Sequence, residues 1–186
     1  AERCYARGWS WGTAGNFSIR GTGTLIWQSP TGLCKGDLKP ELLIAVDLES
    51  ERATEPNTLR PSAEMPVHAG IYKAVPDAMC VVHTHPHESV ALSFDCDEFS
   101  FRGEEMGMAL GAASHTDLVS IPILPNPTPE EMVSFSPKVA SGIKSPTKMV
   151  ILKGHGVYAW GKTPLEAMAY LEALEFLCQS RRFRKN

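Results

Sequence analysis

The chain has 186 residues, 43% of them hydrophobic, with 18 basic and 21 acidic side chains for a net charge of −3. That size suits one globular domain, spanning 1–186, with a sizeable buried core. The balanced charge gives no electrostatic reason to expect nucleic acid or an anionic membrane as partner, and no apolar run approaches the roughly 18 residues that a bilayer requires.

The chain opens with "AERCYARGW", which reads as the inside of a helix rather than as a signal peptide, so further residues are expected before Ala1. "NFSIR" (16–20), "TLIWQSP" (24–30) and "LLIAVDL" (42–48) are short apolar or β-branched runs punctuated by Gly, Pro and Asp, and predict strands. "SAEMPVHAGIYKAV" (62–75) has helical spacing, with Ser62 as its cap and Pro66 tolerated in the first turn. A buried strand "MCVVHTH" (79–85), a helix from Pro86 to about Phe94, a strand near 98–101 and a helix around 104–111 follow. "LVSIPIL" (118–124) predicts a strand, and a helix starts near Pro129, bent or shortened by Pro137. "KMVILKGHGVYAWG" (148–161) reads as two strands meeting at Gly154–Gly156. The last helix runs from Thr163, its cap, to Arg182. Helices punctuating a sheet predict a layered α/β domain. The basic ending "RRFRKN" is read as cations favoured at a helix C-terminus, not as a binding patch. Cys4, Cys34, Cys80, Cys96 and Cys178 are odd in number and lack Cys-x-x-Cys spacing, which suits reduced thiols of a cytoplasmic protein.

"HTHPH" (83–87) holds three of the chain's six histidines. On a strand, His83 and His85 project to one face, while Pro86 breaks the strand and turns His87 away. A catalytic zinc takes three protein ligands and keeps one position open. The third ligand must then come from elsewhere, and His155 in "GHG" (154–156) is the candidate. His68 lies four residues after Glu64 on one helix and reads as a hydrogen-bonded core histidine; His115 reads as a loop or cap residue.

The turn in "WGTAGNFS" (11–18) and that in "SPTGLCKGDL" (29–38) expose backbone N–H groups and short polar side chains suited to phosphate, with Thr31, Gly32 and Lys35 in the second. Ser62 at a helix start is a further contact candidate. For proton transfer the carboxylates of interest are Glu64 and Glu105.

Together these segments resemble the class II aldolase/adducin family. The motifs are "RGWSWGTAGNFSIR" (7–20), "SPTGLCKGDL" (29–38), "RPSAEMPVHAGIY" (60–72), "VVHTH" (81–85), "EEM" (104–106), "SIPIL" (120–124) and "LKGHGVYAWG" (152–161). "WGTAGNFS" with "GHGVYAWG" resembles its dehydratase branch, which acts on methylthioribulose 1-phosphate. The resemblance implies a three-layer α/β/α fold with a central, mostly antiparallel sheet, and a homotetramer with active sites near subunit interfaces. It implies one Zn²⁺ per subunit on His83, His85 and His155, and a phosphate site at Asn16, Thr31 and Gly32 with Lys35 and Ser62 nearby. The implied substrate is a phosphorylated methylthio-ketopentose of methionine salvage, dehydrated to a diketone, with Glu105 as principal acid/base and Glu64 as a site residue that tunes the metal or binds substrate. Retention of Glu64 keeps a sugar-phosphate aldolase or 4-epimerase as the alternative, and an adducin-like interaction module without metal as a third. Trp9, Met65 and Phe101 are methylthio-pocket candidates by proximity to the motifs. Pro86 departs from the branch pattern, where Ser is common.

Overall fold

The computed structural model describes residues 1–56, 58–144 and 146–185. The β-branched and apolar runs form β1 (Asn16–Arg20), β2 (Leu25–Gln28), β3 (Ile44–Asp47), β4 (Arg52–Ala53), β5 (Cys80–Thr84), β6 (Glu98–Phe101), β7 (Val119–Leu124), β8 (Met149–Leu152) and β9 (Gly156–Gly161). They join in one sheet of order β4-β3-β2-β1-β5-β9-β8-β7-β6. β7 and β8 run parallel, and the other neighbouring pairs are antiparallel. The helices are α1 (Glu2–Ala6), α2 (Met65–Ala74), α3 (His87–Leu92), α4 (Pro129–Met132), α5 (Ser136–Gly142) and α6 (Pro164–Lys185).

Successive strand residues point to opposite faces, and the two cores follow that alternation. Met149, Ile151, Val157 and Ala159 pack with Cys4 of α1 and Leu171 and Leu174 of α6. Val150, Leu152, Tyr158 and Trp160 pack with Ile71 of α2 and Val139 of α5 on the other face. The chain is therefore a three-layer α/β/α domain with a mostly antiparallel sheet. α2 and α5 approach closely at Gly70, where a Cβ would lie 2.5 Å from the Ser136 carbonyl oxygen.

Several local expectations change. The helix expected from Pro129 is two helices, because Pro137 has no N–H to continue a preceding turn. The stretch near 104–111 is a 3₁₀ turn, Glu105–Leu110, closed by Gly111 at φ 99°. Ser62 is not the cap of α2: Glu64 holds that position, Pro66 follows in the first turn, and Ser62 Oγ accepts from the Glu64 N–H at 3.3 Å. Glu64 therefore stands at the mouth of the helix instead of on its flank. At α6, Thr163 Oγ1 accepts from the Glu166 N–H as expected, but the Glu166 carboxylate reaches back to the Lys162 N–H. Among the described residues no helix is long and apolar enough to cross a membrane, and the five cysteines are free thiols.

Candidate metal centre

Three adjacent strands supply one row of side chains. In the sheet register Asn16 of β1 lies opposite His83 of β5, and His83 lies opposite Tyr158 of β9. His83 is fully buried, its ring stacked on Tyr158 at 3.9 Å between centroids. His85 follows just past the strand end, where its N–H donates to the Trp9 carbonyl at 2.9 Å. Pro86 caps α3 with an extended backbone, and Glu175 of α6 accepts the Glu88 and Ser89 N–H groups, which anchors the helix. His87 opens α3 on the exposed side, beside Trp11.

His155 sits in the turn between β8 and β9. Gly154 takes a left-handed backbone at φ 65°, and Gly156 packs so closely that a Cβ would meet Thr84 O at 2.6 Å and His83 Cε1 at 2.7 Å. The two glycines thus let the third imidazole reach the other two. The ring nitrogens of His83, His85 and His155 lie within 4.8 Å of one another.

Glu64 faces this trio. Its Oε2 is 3.1 Å from His83 Nε2 and its Oε1 is 3.1 Å from His155 Nε2. It accepts hydrogen bonds from the Tyr158 hydroxyl at 2.6 Å and Asn16 Nδ2 at 2.7 Å. Burial raises the pKa of the carboxyl, but the donors around it, the Tyr158 hydroxyl among them, outweigh it and hold Glu64 well below the usual carboxylate range. Burial pushes His83 and His85 below the usual imidazole range, so both are neutral ligands-in-waiting.

Hydrogen-bond chemistry tests whether a cation fits. The Val157 carbonyl only accepts, so His83 Nδ1, 3.1 Å away, carries the proton. Its Nε2 then carries a lone pair 3.1 Å from a carboxylate oxygen, and that buried nitrogen has no hydrogen-bond partner. Asn126 Oδ1 lies 3.0 Å from His155 Nδ1 and is an outer partner of that ring. A lone pair beside an ionised carboxylate is repelled unless a cation lies between them. Outer partners on the far ring nitrogens are also what orients metal-ligating histidines. The donor set fits a divalent metal.

The model of the Class II Aldolase and Adducin N-terminal domain family matches residues 1–181. The chain belongs to the class II aldolase and adducin family. A methylthioribulose-1-phosphate dehydratase of Enterobacter sp. (strain 638) is 36% identical over 95% of this chain and 88% of its own length. One of Klebsiella pneumoniae subsp. pneumoniae is 34% identical over 97% and 90%. The solved L-fuculose-1-phosphate aldolase of Thermus thermophilus superposes with a TM-score of 0.78 at 28% identity, covering 99% of this chain and 90% of that one.

The other sequence-derived candidates of this class II aldolase domain divide into two groups. Thr31 and Gly32 form an exposed turn beside Ser62: the Thr31 N–H donates to Arg60 O at 2.9 Å, and Pro30 bridges to Pro61. Asn16 and Lys35 lie behind that surface. Both ends of the Asn16 amide are taken, by Glu64 and by His68 Nε2 at 2.5 Å. Lys35 is 1% exposed and donates to the carbonyls of Thr13 and Leu33 at 2.8 and 2.7 Å, tying the two glycine turns together. Glu105 is 83% exposed, with Oε2 3.8 Å from His115 Nδ1, and among the described residues no hydrogen bond or ion pair joins it to the histidines or Glu64 of its own chain. Met65 and Phe101 belong to cores on opposite faces of the sheet, so they do not line one pocket.

Tyr158 and Asn126 were not singled out by sequence reasoning. Tyr158 had a signal in the alternation of "GHGVYAWG", which puts it two residues beyond Gly156; Asn126, in a Pro-rich loop, had none.

His68 couples the site to pH. Burial lowers its pKa from 6.5 to about 4. The unfolded chain therefore binds this proton first, and His68's contribution to stability is complete above pH 6.5 and lost as pH falls through about 4. The expected loss is about 3 kcal/mol over that window. Urea unfolding between pH 7 and pH 4 should show it, and His68→Gln should flatten the curve; an equally steep fall in the variant would contradict the assignment.

Proposed function

We propose that the chain catalyses zinc-dependent dehydration of 5-methylthioribulose 1-phosphate to 2,3-diketo-5-methylthiopentyl 1-phosphate, a hydro-lyase step of methionine salvage in the cytoplasm. The observation that carries this is the trio His83, His85 and His155 facing Glu64, beside an exposed Gly/Thr/Ser surface. The names of the dehydratase relatives supply the substrate.

His83, His85 and His155 would hold a zinc ion, which would supply Lewis acidity toward the oxygens beside the reacting carbon. The residues of the chain do the rest. Thr31, Gly32 and Ser62 bind the phosphate several bonds from the reacting carbon and fix its reach, with Lys35 tying the turn to its neighbour from behind and Asn16 holding Glu64. An acid/base carboxyl takes the C3 proton and returns one to the departing C4 hydroxyl, so water leaves and the enol formed becomes the diketone.

Glu64 is a poor choice for that carboxyl. Its hydrogen bonds hold its pKa well below the usual carboxylate range, so it is a weak base for the C3 proton. Glu64 is assigned the fixed negative charge at the metal, and Glu105 the proton transfer. Since Glu105 projects to solvent in its own chain, it serves the site of a neighbouring copy in a homotetramer. An aldolase or 4-epimerase remains the second reading, favoured by Glu64 among the histidines and by the likeness to the Thermus enzyme. Parallel incubation with methylthioribulose 1-phosphate and with fuculose or ribulose phosphates separates the two; turnover confined to the latter would select the aldolase class.

A further inference from the structure

A chain of buried hydrogen bonds runs from the helix α2 side of the sheet to Glu64. Tyr72 OH lies 2.9 Å from Ser18 Oγ, Ser18 Oγ 2.6 Å from His68 Nδ1, His68 Nε2 2.5 Å from Asn16 Oδ1, and Asn16 Nδ2 2.7 Å from Glu64 Oε2. Ser18, His68 and Tyr72 are each at most 2% exposed, and Asn16 is 4% exposed.

The direction of every bond follows from the last one. An ionised carboxylate only accepts, so Asn16 must present its amide N–H to Glu64. That leaves Asn16 Oδ1 toward His68, which must therefore donate from Nε2. His68 Nδ1 then accepts, Ser18 donates to it, and Ser18 accepts from the Tyr72 hydroxyl. All four donors point one way. Reversing the Asn16 amide would set its oxygen against the Glu64 carboxylate and its N–H against an N–H of His68. The neutral imidazole with its proton on Nε2 is the element that forbids this.

We propose that His68 is a positioning residue whose Nε2–H tautomer locks the Asn16 amide, and through it the orientation of the Glu64 carboxylate toward His83 and His155. The proposal rests on the reading of Glu64 as a carboxylate of the active site. His68 hydrogen-bonds to none of the three histidines of the metal centre; its own partners are Ser18 and Asn16. Misplacing a carboxylate by about 1 Å costs on the order of 10²-fold in rate, so His68 has leverage without contacting substrate.

Two measurements on the zinc-replete protein test it. Long-range ¹H–¹⁵N correlation of the histidine rings should show His68 protonated on Nε2 alone from pH 6 to 8, and Asn16→Ala, which removes the acceptor facing Nε2, should let the Nδ1–H form appear. A wild-type Nδ1–H or doubly protonated ring would overturn the proposal, and this needs no substrate. In turnover, His68→Leu should lower kcat by about 10²-fold with KM changed less than about twofold and zinc retained better than in Glu64→Gln. His68→Gln, which can donate from its amide at the Nε2 position, should recover kcat to within about threefold of wild type. Equal loss in both variants, or loss in neither, would refute the positioning role. If wild type does not turn over the methylthio substrate, the functional reading fails, and the tautomer measurement alone decides this one.

Discussion

Glu105→Gln is expected to lower kcat by about 10² to 10⁴-fold, the range for removing a general acid/base, while the protein keeps its zinc and fold. Glutamine preserves size and hydrogen bonding but cannot carry the proton. Because Glu105 is 83% exposed in its own chain, the effect should not reflect lost stability. Glu64→Gln should behave differently. It removes the negative charge facing His83 and His155, so it should weaken zinc retention about 10 to 100-fold, as losing a partner of metal ligands does, along with activity. If Glu64→Gln is inactive with zinc fully bound and Glu105→Gln turns over normally, the proton transfer belongs to Glu64. A mixing experiment tests the route of Glu105 to the site. Co-assembled Glu105→Gln and His155→Ala chains should regain activity, since some sites would combine intact histidines from one chain with Glu105 from another. No recovery in confirmed mixed oligomers would contradict a site shared between copies.

His155→Ala has the second large effect. It removes one of three imidazoles and leaves two, below the three protein ligands that catalytic zinc sites use. Most bound zinc and activity should be lost. Glu64 would then face the lone pair of His83 without a bridging cation, so thermal stability should gain little from added zinc, in contrast to wild type. Metal analysis after dialysis, with melting curves at several zinc concentrations, reads both effects. Full zinc occupancy in the variant would refute the ligand role of His155.

Much of the centre can be read locally. His83 and His85 share a strand face because strands repeat every two residues, and Gly154 and Gly156 mark His155 because a side chain at either position is strained or clashes. What needs long-range pairing is not readable in that way. Asn16 looks like a free phosphate amide in its Gly-rich turn, yet its register opposite His83 commits both of its ends to His68 and Glu64. Lys35 looks like an anion-binding cation, yet its burial spends the ammonium on two carbonyls. Tyr158 becomes a Glu64 donor only once β9 is laid beside β5. The layered fold was legible from the order of elements, whereas the exact start of α2 was not. Ser62 suggested a cap, but Pro66 in the first turn placed Glu64 there, and that choice brings the carboxylate to the histidines.

The most direct measurement is turnover of 5-methylthioribulose 1-phosphate by the purified protein, with metal content determined on the same preparation. The expected result is about one zinc per chain, matching the single three-histidine cluster found among the described residues, and formation of the diketone phosphate at an enzymic rate of about 1–10³ s⁻¹. Zinc-loaded protein that leaves this substrate intact while cleaving or epimerising fuculose or ribulose phosphates would contradict the dehydratase assignment. Protein that binds no zinc and acts on none of these substrates would contradict the enzyme reading itself.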